Sequence, residues 1–263
     1  MNTLHFSDNA PSSEDLHALA LINYGHFTSM QVRAGAVQGL DLHRRRLESA
    51  NLELFGTALE FEPLREQMRQ AVAATPDCTL RATVFSRSFD YRNPEGDWPT
   101  AVLVSLSPPS APRTEGLRLK SFSFLRPLPH LKHVGTFPLF HHRRLARVQG
   151  FDDALFADAQ GRISEGTVWN LGFWDGGQVI WPEADALRGT AEQMLQSGLE
   201  TLEVRQSLRP VHIAELKGLR AAFTCNATSV QPIAAIDGAT FDPDLQLMGR
   251  LRQALAQLPW QPI

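Results

Sequence analysis

The sequence predicts an α+β chain folded as two subdomains. Short strand-like alternations mix with amphipathic helical stripes and show no regular strand–helix–strand rhythm. One segment, Ser107-Pro108-Pro109-Ser110-Ala111-Pro112, interrupts them with the composition of a linker. At 263 residues and 43% hydrophobic content, the chain has enough apolar side chains for two cores. The break is expected between that segment and about Pro129, giving domains 1–118 and 119–263.

In chain order, residues 18–37 read as two strands, Ala18–Asn23 and Thr28–Arg33, the second turning at Ala34-Gly35-Ala36. Leu47, Ala50 and Leu54 recur at helical spacing in a helix from about Leu42 to Phe55, which Gly56 closes. A second helix, Pro63 to Ala74, has proline in its first turn and a stripe of Leu64, Met68, Ala71 and Val72. Leu80, Ala82 and Val84 alternate as in a strand, and Ala101–Leu106 is an apolar run of strand length. Beyond the linker a helix is expected from Pro138 to Gln149, ended by Gly150. Strands follow at Ala154–Asp158, Gly161–Ser164, Trp169–Trp174 and Gln178–Trp181, with turns at 158–161 and 175–177. Helices at Thr190–Leu199 and His212–Leu216 alternate with strands near Leu202–Leu208 and Ala221–Cys225, and a last helix covers Leu245–Leu258.

Composition narrows the function. With 25 basic against 28 acidic residues the net charge is −3, which argues against a nucleic-acid partner. Cys78 and Cys225 cannot build a disulfide scaffold, so a reducing compartment is expected. The stretch Asn2–Asp15 is polar and acidic and reads as no export signal. No run approaches the roughly 18 apolar residues of a membrane span. A cytoplasmic protein without a membrane or metal partner is the expectation. Among the basic residues only Lys120, Lys132 and Lys217 are lysines, and arginine cannot replace lysine in imine chemistry.

Four segments carry a resemblance. The first is Leu42-His43-Arg44-Arg45-Arg46-Leu47, of the form H-x-x-R-L, and the second Leu131-Lys132-His133. The third runs Gly150-Phe151-Asp152-Asp153-Ala154-Leu155, then Gly161-Arg162-Ile163-Ser164-Glu165-Gly166, then Asn170. The fourth is Leu187-Arg188-Gly189-Thr190-Ala191-Glu192. Together they resemble the class IV pyridoxal-phosphate (PLP) enzymes over roughly residues 24–240. That family includes branched-chain and D-amino-acid aminotransferases and aminodeoxychorismate lyase.

The resemblance implies the fold type IV architecture: a smaller N-terminal α/β domain and a larger C-terminal domain with a mixed, barrel-like β core. It implies pyridoxal 5'-phosphate as cofactor, bound as an imine by Lys132. Arg46 would bind its phosphate through a guanidinium fork, and Glu165 would keep its pyridine nitrogen protonated. Asn170 would help orient it, and Gly189, Thr190 and Ala191 would offer helix-terminal amides to the phosphate. Thr228, in the lyase-like run Thr224-Cys225-Asn226-Ala227-Thr228-Ser229, would lie beside that phosphate. Ser86-Arg87-Ser88 resembles the lyase S-R-G, so Arg87 is a candidate clamp for a substrate carboxylate, with Arg92 a second.

Two departures stand out. Phe137 occupies the place of a tyrosine that bonds the cofactor ring in many relatives. Asn23-Tyr24-Gly25-His26-Phe27-Thr28-Ser29 replaces a glycine-rich run and leaves Tyr24 and Thr28 as substrate-side donors. The expected function is a PLP-dependent aminotransferase, a homodimer acting on an amino acid or related amine with a keto acid as partner. The alternatives are an aminodeoxychorismate lyase-like elimination releasing pyruvate and a non-catalytic descendant of the fold.

Overall fold

A computed structural model describes residues 5–6, 11–111 and 114–263; Pro112, at the end of the expected linker, lies outside them. The chain divides into two compact units. The first is Met1–Ser110 with Leu131–Gly135 and Pro259–Ile263; the second is Ala111–His130 with Thr136–Leu258. The units interleave along the sequence, where a single break at 118/119 was expected. The strand Leu117–Ser123 pairs inside the second unit, while the Lys132 segment and the C-terminal tail hydrogen-bond inside the first.

The first unit contains β1 (His5–Phe6), α1 (Ser13–His17), β2 (Gly25–Val32), β3 (Ala36–Gln38), α2 (Leu40–Phe55), α3 (Phe61–Val72), β4 (Cys78–Phe85) and β5 (Ala101–Ser107). Its antiparallel sheet runs β1-β5-β4-β2. Ala18–Asn23 is expected to be a strand, but Ala18–Ile22 is a π-helical turn. The reason lies just upstream: Ser12 and Asp15 form a capping box that starts α1, and the helical path continues until Asn23 turns left-handed at φ 52°. In α2 the inward stripe is Leu40, His43, Leu47, Ala50, Asn51 and Phe55, and left-handed glycines, Gly39 and Gly56, bound it.

Leu80, Ala82 and Val84 of β4 are all fully buried, as their alternation predicts. They join Leu47, Phe55 and Met68 in one core. Each large apolar side chain buried there contributes about 1.5–3 kcal/mol.

Two pieces of this unit come from far along the chain. Phe27 N–H donates to the Lys132 carbonyl at 2.9 Å and Val134 N–H to the Gly25 carbonyl at 2.9 Å, so the Lys132 segment forms a short extra rung on the free edge of β2. Trp260–Pro262 pairs antiparallel with β3, and Ile263 is buried in the same core.

The second unit holds β6 (Leu117–Ser123), α4 (Phe137–Val148), β7 (Asp153–Ala157), β8 (Ile163–Gly166), β9 (Asn170–Trp174), β10 (Val179–Pro182), α5 (Thr190–Thr201), β11 (Gln206–Arg209), β12 (Ala221–Cys225), β13 (Val230–Ile236), β14 (Ala239–Thr240) and α6 (Leu245–Ala256). Its nine-stranded mixed sheet runs β11-β10-β9-β12-β13-β6-β7-β8, with β14 on β13. The expected His212–Leu216 helix is a 3-10 helix, Ile213–Gly218. β7 to β10 are buried along their whole length, which explains why they read as apolar runs with weak alternation.

Asp153 organises the start of this sheet. It accepts from Arg143 Nε at 3.0 Å and Nη2 at 2.8 Å, from Thr167 Oγ1 at 2.8 Å and from Trp169 Nε1 at 2.9 Å. The acid in the Gly150–Leu155 run therefore ties α4 to the loop after β8, and with it fixes the backbone beside Glu165.

Candidate active site

In the first unit, β2, α2, β4 and the Lys132 rung bring a set of cationic and hydroxyl groups together. Lys132 is half-buried, and its Nζ lies 4.9 Å from the centroid of the Phe27 ring. The same ring carries the Arg81 guanidinium at 3.6 Å. Thr28, on β2, is fully buried and its Oγ1 lies 2.6 Å from His43 Nδ1 on α2. Burial first, then the nearby charges of Arg46 and Lys132, push the His43 pKa down to about 3. A neutral imidazole thus sits among cations, where a charged one would be repelled. Arg46 and Thr28 are brought to Lys132 through His43, a residue within the H-x-x-R-L match to which the sequence reading gave no role.

In the second unit, Glu165 ends β8 almost fully buried and pairs with Arg126 Nη2 at 3.0 Å. Asn170 begins β9 opposite Cys225 of β12, and its Nδ2 donates to the Leu187 carbonyl at 2.6 Å. Gly189 is the N-cap of α5 and has no side-chain cap; Thr190, Ala191 and Glu192 are the buried first turn. A Cβ on Gly189 would overlap Asn170 Oδ1, so glycine is required by close approach. The first amides of α5 form a donor cluster at the positive end of a helix dipole, which suits a phosphate. Arg188 Nη2 bonds Glu192 Oε1 at 3.0 Å.

Residues 25–236 match the family model for the class IV amino-transferases. The chain belongs to that family. A probable branched-chain-amino-acid aminotransferase from Synechocystis sp. is 28% identical over 109 residues, covering 40% of this class IV chain and 36% of that relative, little more than a third of its length. Among solved structures, a putative 4-amino-4-deoxychorismate lyase from Legionella pneumophila superposes with a TM-score of 0.87 at 19% identity, covering 95% of this chain and 97% of that one. A branched-chain amino acid aminotransferase from Escherichia coli gives 0.80 at 17% identity, over 96% and 92%. These likenesses establish the fold type IV α+β architecture.

Tyr24 donates its hydroxyl to the Leu54 carbonyl at 3.2 Å and stacks on Phe89, so its donor is used within the core. Arg87 Nε bonds Asp15 Oδ1 at 2.6 Å and its side chain is half-exposed. Arg92 is exposed, with its guanidinium over the Tyr91 ring. In the turn after β12 the Asn226 side chain accepts from Thr228 N–H at 2.9 Å and Ser229 N–H at 3.2 Å, which fixes the turn that carries Thr228. Phe137 opens α4 at 76% exposure, with its ring stacked on His141.

Arg81 and Arg126 were missed. Arg81 is a mostly buried guanidinium whose Nε donates to Thr83 Oγ1 at 3.1 Å, with no acid paired to it among the described residues. In sequence it is an arginine in an alternating strand, a pattern that an exposed position shares. Arg126, between Leu125 and Pro127, lies in no motif at all.

Proposed function

We propose that this class IV protein is a PLP-dependent aminotransferase acting on an amino acid. The observation that carries the reading is the setting of Lys132: partial burial, an aromatic ring under its amine, and the cations Arg81 and Arg46 close by. A lysine that must attack a carbonyl as the free amine needs such surroundings.

The residues present fit the cofactor. Gly189 caps α5 with no side-chain hydrogen bond of its own, which leaves the first amides of the helix to an outside acceptor, and Glu165 is a buried carboxylate of the kind that holds a ring nitrogen protonated. Lys132 would hold the cofactor covalently, Arg46 with Gly189, Thr190 and Ala191 would take its phosphate, Thr228 would stand beside it, and Glu165 and Asn170 would orient its ring. When bound, PLP supplies the electron sink that makes a proton on the substrate α-carbon removable. The chain's own part is positional and acid–base. Lys132 would be the base that takes the α-proton from the substrate and the acid that gives a proton back. Arg81, with no acid of its own among the described residues, would anchor a substrate carboxylate by charge-assisted bonds, and Thr28, buried against His43 in this chain, would turn its hydroxyl to the substrate. Arg126, paired with Glu165 at 3.0 Å, would hold that carboxylate in place. The active form in this reading is a homodimer in the cytoplasm. No helix among the described residues is long and apolar enough to cross a membrane.

A second reading is elimination releasing pyruvate. Cys225-Asn226-Ala227, whose asparagine builds the turn after β12, supports it, as does the Ser86-Arg87-Ser88 match, whose Arg87 bonds Asp15 in this chain. Mixing the purified protein with PLP tests the common core. An absorbance band of lysine-bound cofactor, lost in Lys132→Ala, is expected; its absence in the unaltered protein would sink the reading. A panel of amino donors, assayed for keto acid against pyruvate, separates transamination from elimination.

A further inference from the structure

Glu192 has no role in that reading, yet it is an unusual group. It lies at the third helical position of α5, 2% exposed, in the turn that Gly189 caps and Thr190 and Ala191 begin. One carboxylate oxygen bonds Arg188, while the other, Oε2, is buried with no hydrogen-bond partner among the described residues. The Gly189 backbone N–H donates to the carboxylate and favours its charged form. A buried carboxylate oxygen left open at a helix N-terminus is costly when ionised, and Glu192 belongs to the same first turn whose amides would take an anion.

We propose that Glu192 is the proton partner of the phosphate seat: when a phosphate dianion binds at the N-terminus of α5, Glu192 takes up one proton from solvent. This rests on the reading of Gly189–Ala191 as that seat. The step forms one O–H bond on a carboxylate and moves no electrons. Its driving force is the repulsion between two anions competing for one set of amides. The neutral acid gains a donor that Oε2 lacks a use for in the free protein, and Arg188 is relieved of its counter-charge and becomes available to the phosphate.

The groups facing Glu192 from each neighbouring element agree with this. Arg188, from the loop before α5, favours the charged form; Glu165, at the end of β8, opposes it. Cys225, on β12, is itself held as a neutral thiol by burial and by the field of Glu192. Burial dominates, and the Glu192 pKa is pushed up to about 7 before any phosphate arrives. Further negative charge moves it in the same direction, so phosphate affinity declines as pH rises past neutrality.

Pyridoxine 5'-phosphate is the probe, because it carries ring and phosphate but no aldehyde to react with Lys132. Calorimetric titrations in two buffers of different ionisation enthalpy report proton uptake on the unaltered protein, independent of any variant. Uptake of a large fraction of a proton between about pH 7 and 8 is expected. Glu192→Gln should lose it, bind like the unaltered protein near about pH 6, and bind about tenfold more tightly than it near about pH 8.5. The phosphate's own ionisation cancels in that ratio. A ratio constant across pH, with equal proton uptake by both proteins, overturns the proposal and leaves Glu192 as a helix-capping and ion-pairing residue. If the probe does not bind, or phosphate-free pyridoxine binds as well, the phosphate seat itself is lost and the proposal with it.

Discussion

Arg126 and Glu165 face each other across 3.0 Å with their side chains 5% and 3% exposed, an ion pair almost wholly out of water. Removing one member of such a pair strands the other charge, which typically destabilises a fold by about 3–5 kcal/mol. Arg126→Met is therefore expected to lower the unfolding free energy by about 3 kcal/mol in urea titrations. Arg126→Lys should recover only part, because an ammonium cannot reproduce the planar guanidinium fork. A loss under about 1 kcal/mol in Arg126→Met would show the pair is not structurally coupled.

Acid sensitivity follows from two buried histidines. Burial pushes His26 down to about 4, and burial with the neighbouring cations pushes His43 down to about 3. Both folded values lie below that of the unfolded chain, so the unfolded state binds the extra protons. Stability is complete above the unfolded pKa of 6.5 and is lost as pH falls from there toward the folded values. Glu192 acts in the opposite sense, with a folded pKa of about 7 above its ordinary value of 4.5. His43→Leu should flatten the decline below about pH 6.5 by about 1.4 kcal/mol per pH unit, read from urea midpoints across pH. An unchanged slope would mean His43 is charged in the folded protein.

These predictions involve residues that the sequence showed unevenly. α2 and β4 were legible because their apolar spacing follows the period of the element, and β12 because it is a short apolar run buried throughout. The Lys132 rung was not, because a single bridge pair, His26 with His133, has no periodicity, and its partner lies more than a hundred residues away. β6 alternates only loosely, as Leu-Arg-Leu-Lys-Ser-Phe-Ser, and was absorbed into the expected boundary region. For the site, Lys132, Arg46, Glu165 and Gly189 stood in motifs. Their supports Arg126, Arg81 and His43 act through contacts that only the folded chain creates.

The α5 cap tests packing at the candidate phosphate seat. Gly189→Ala drives its new methyl into Asn170 Oδ1, and Asn170 cannot swing away while its Nδ2 holds the Leu187 carbonyl at 2.6 Å. A loss of about 1–3 kcal/mol is expected in thermal or urea unfolding. Asn170→Ala in the same chain clears the overlap, so the double variant should be less damaged than the two single losses summed. Strict additivity would show that the two positions do not touch.

Arg81 and Arg87 give opposite expectations for substrate binding. In Arg81→Gln, KM for the amino acid should rise by about ten- to a hundredfold, the worth of a charged hydrogen bond of about 1.5–3 kcal/mol. Arg87 is spent on Asp15 at a half-exposed position, so Arg87→Gln should change KM less than about threefold and stability by under about 1 kcal/mol. Steady-state kinetics on one donor decides between them, and the reverse order would return the carboxylate anchor to Arg87.

The interleaving of the two units also governs how the molecule can be taken apart. Cutting at Ser110, the natural place by composition, would yield an N-terminal piece whose β2 edge and β3 edge are both bare, since residues 131–135 and 259–263 leave with the other half. Such a piece would expose two unprotected strand edges and the apolar pocket that Ile263 fills. It should self-associate, and limited proteolysis within 111–130 should leave the fragments clinging to each other without releasing a soluble half.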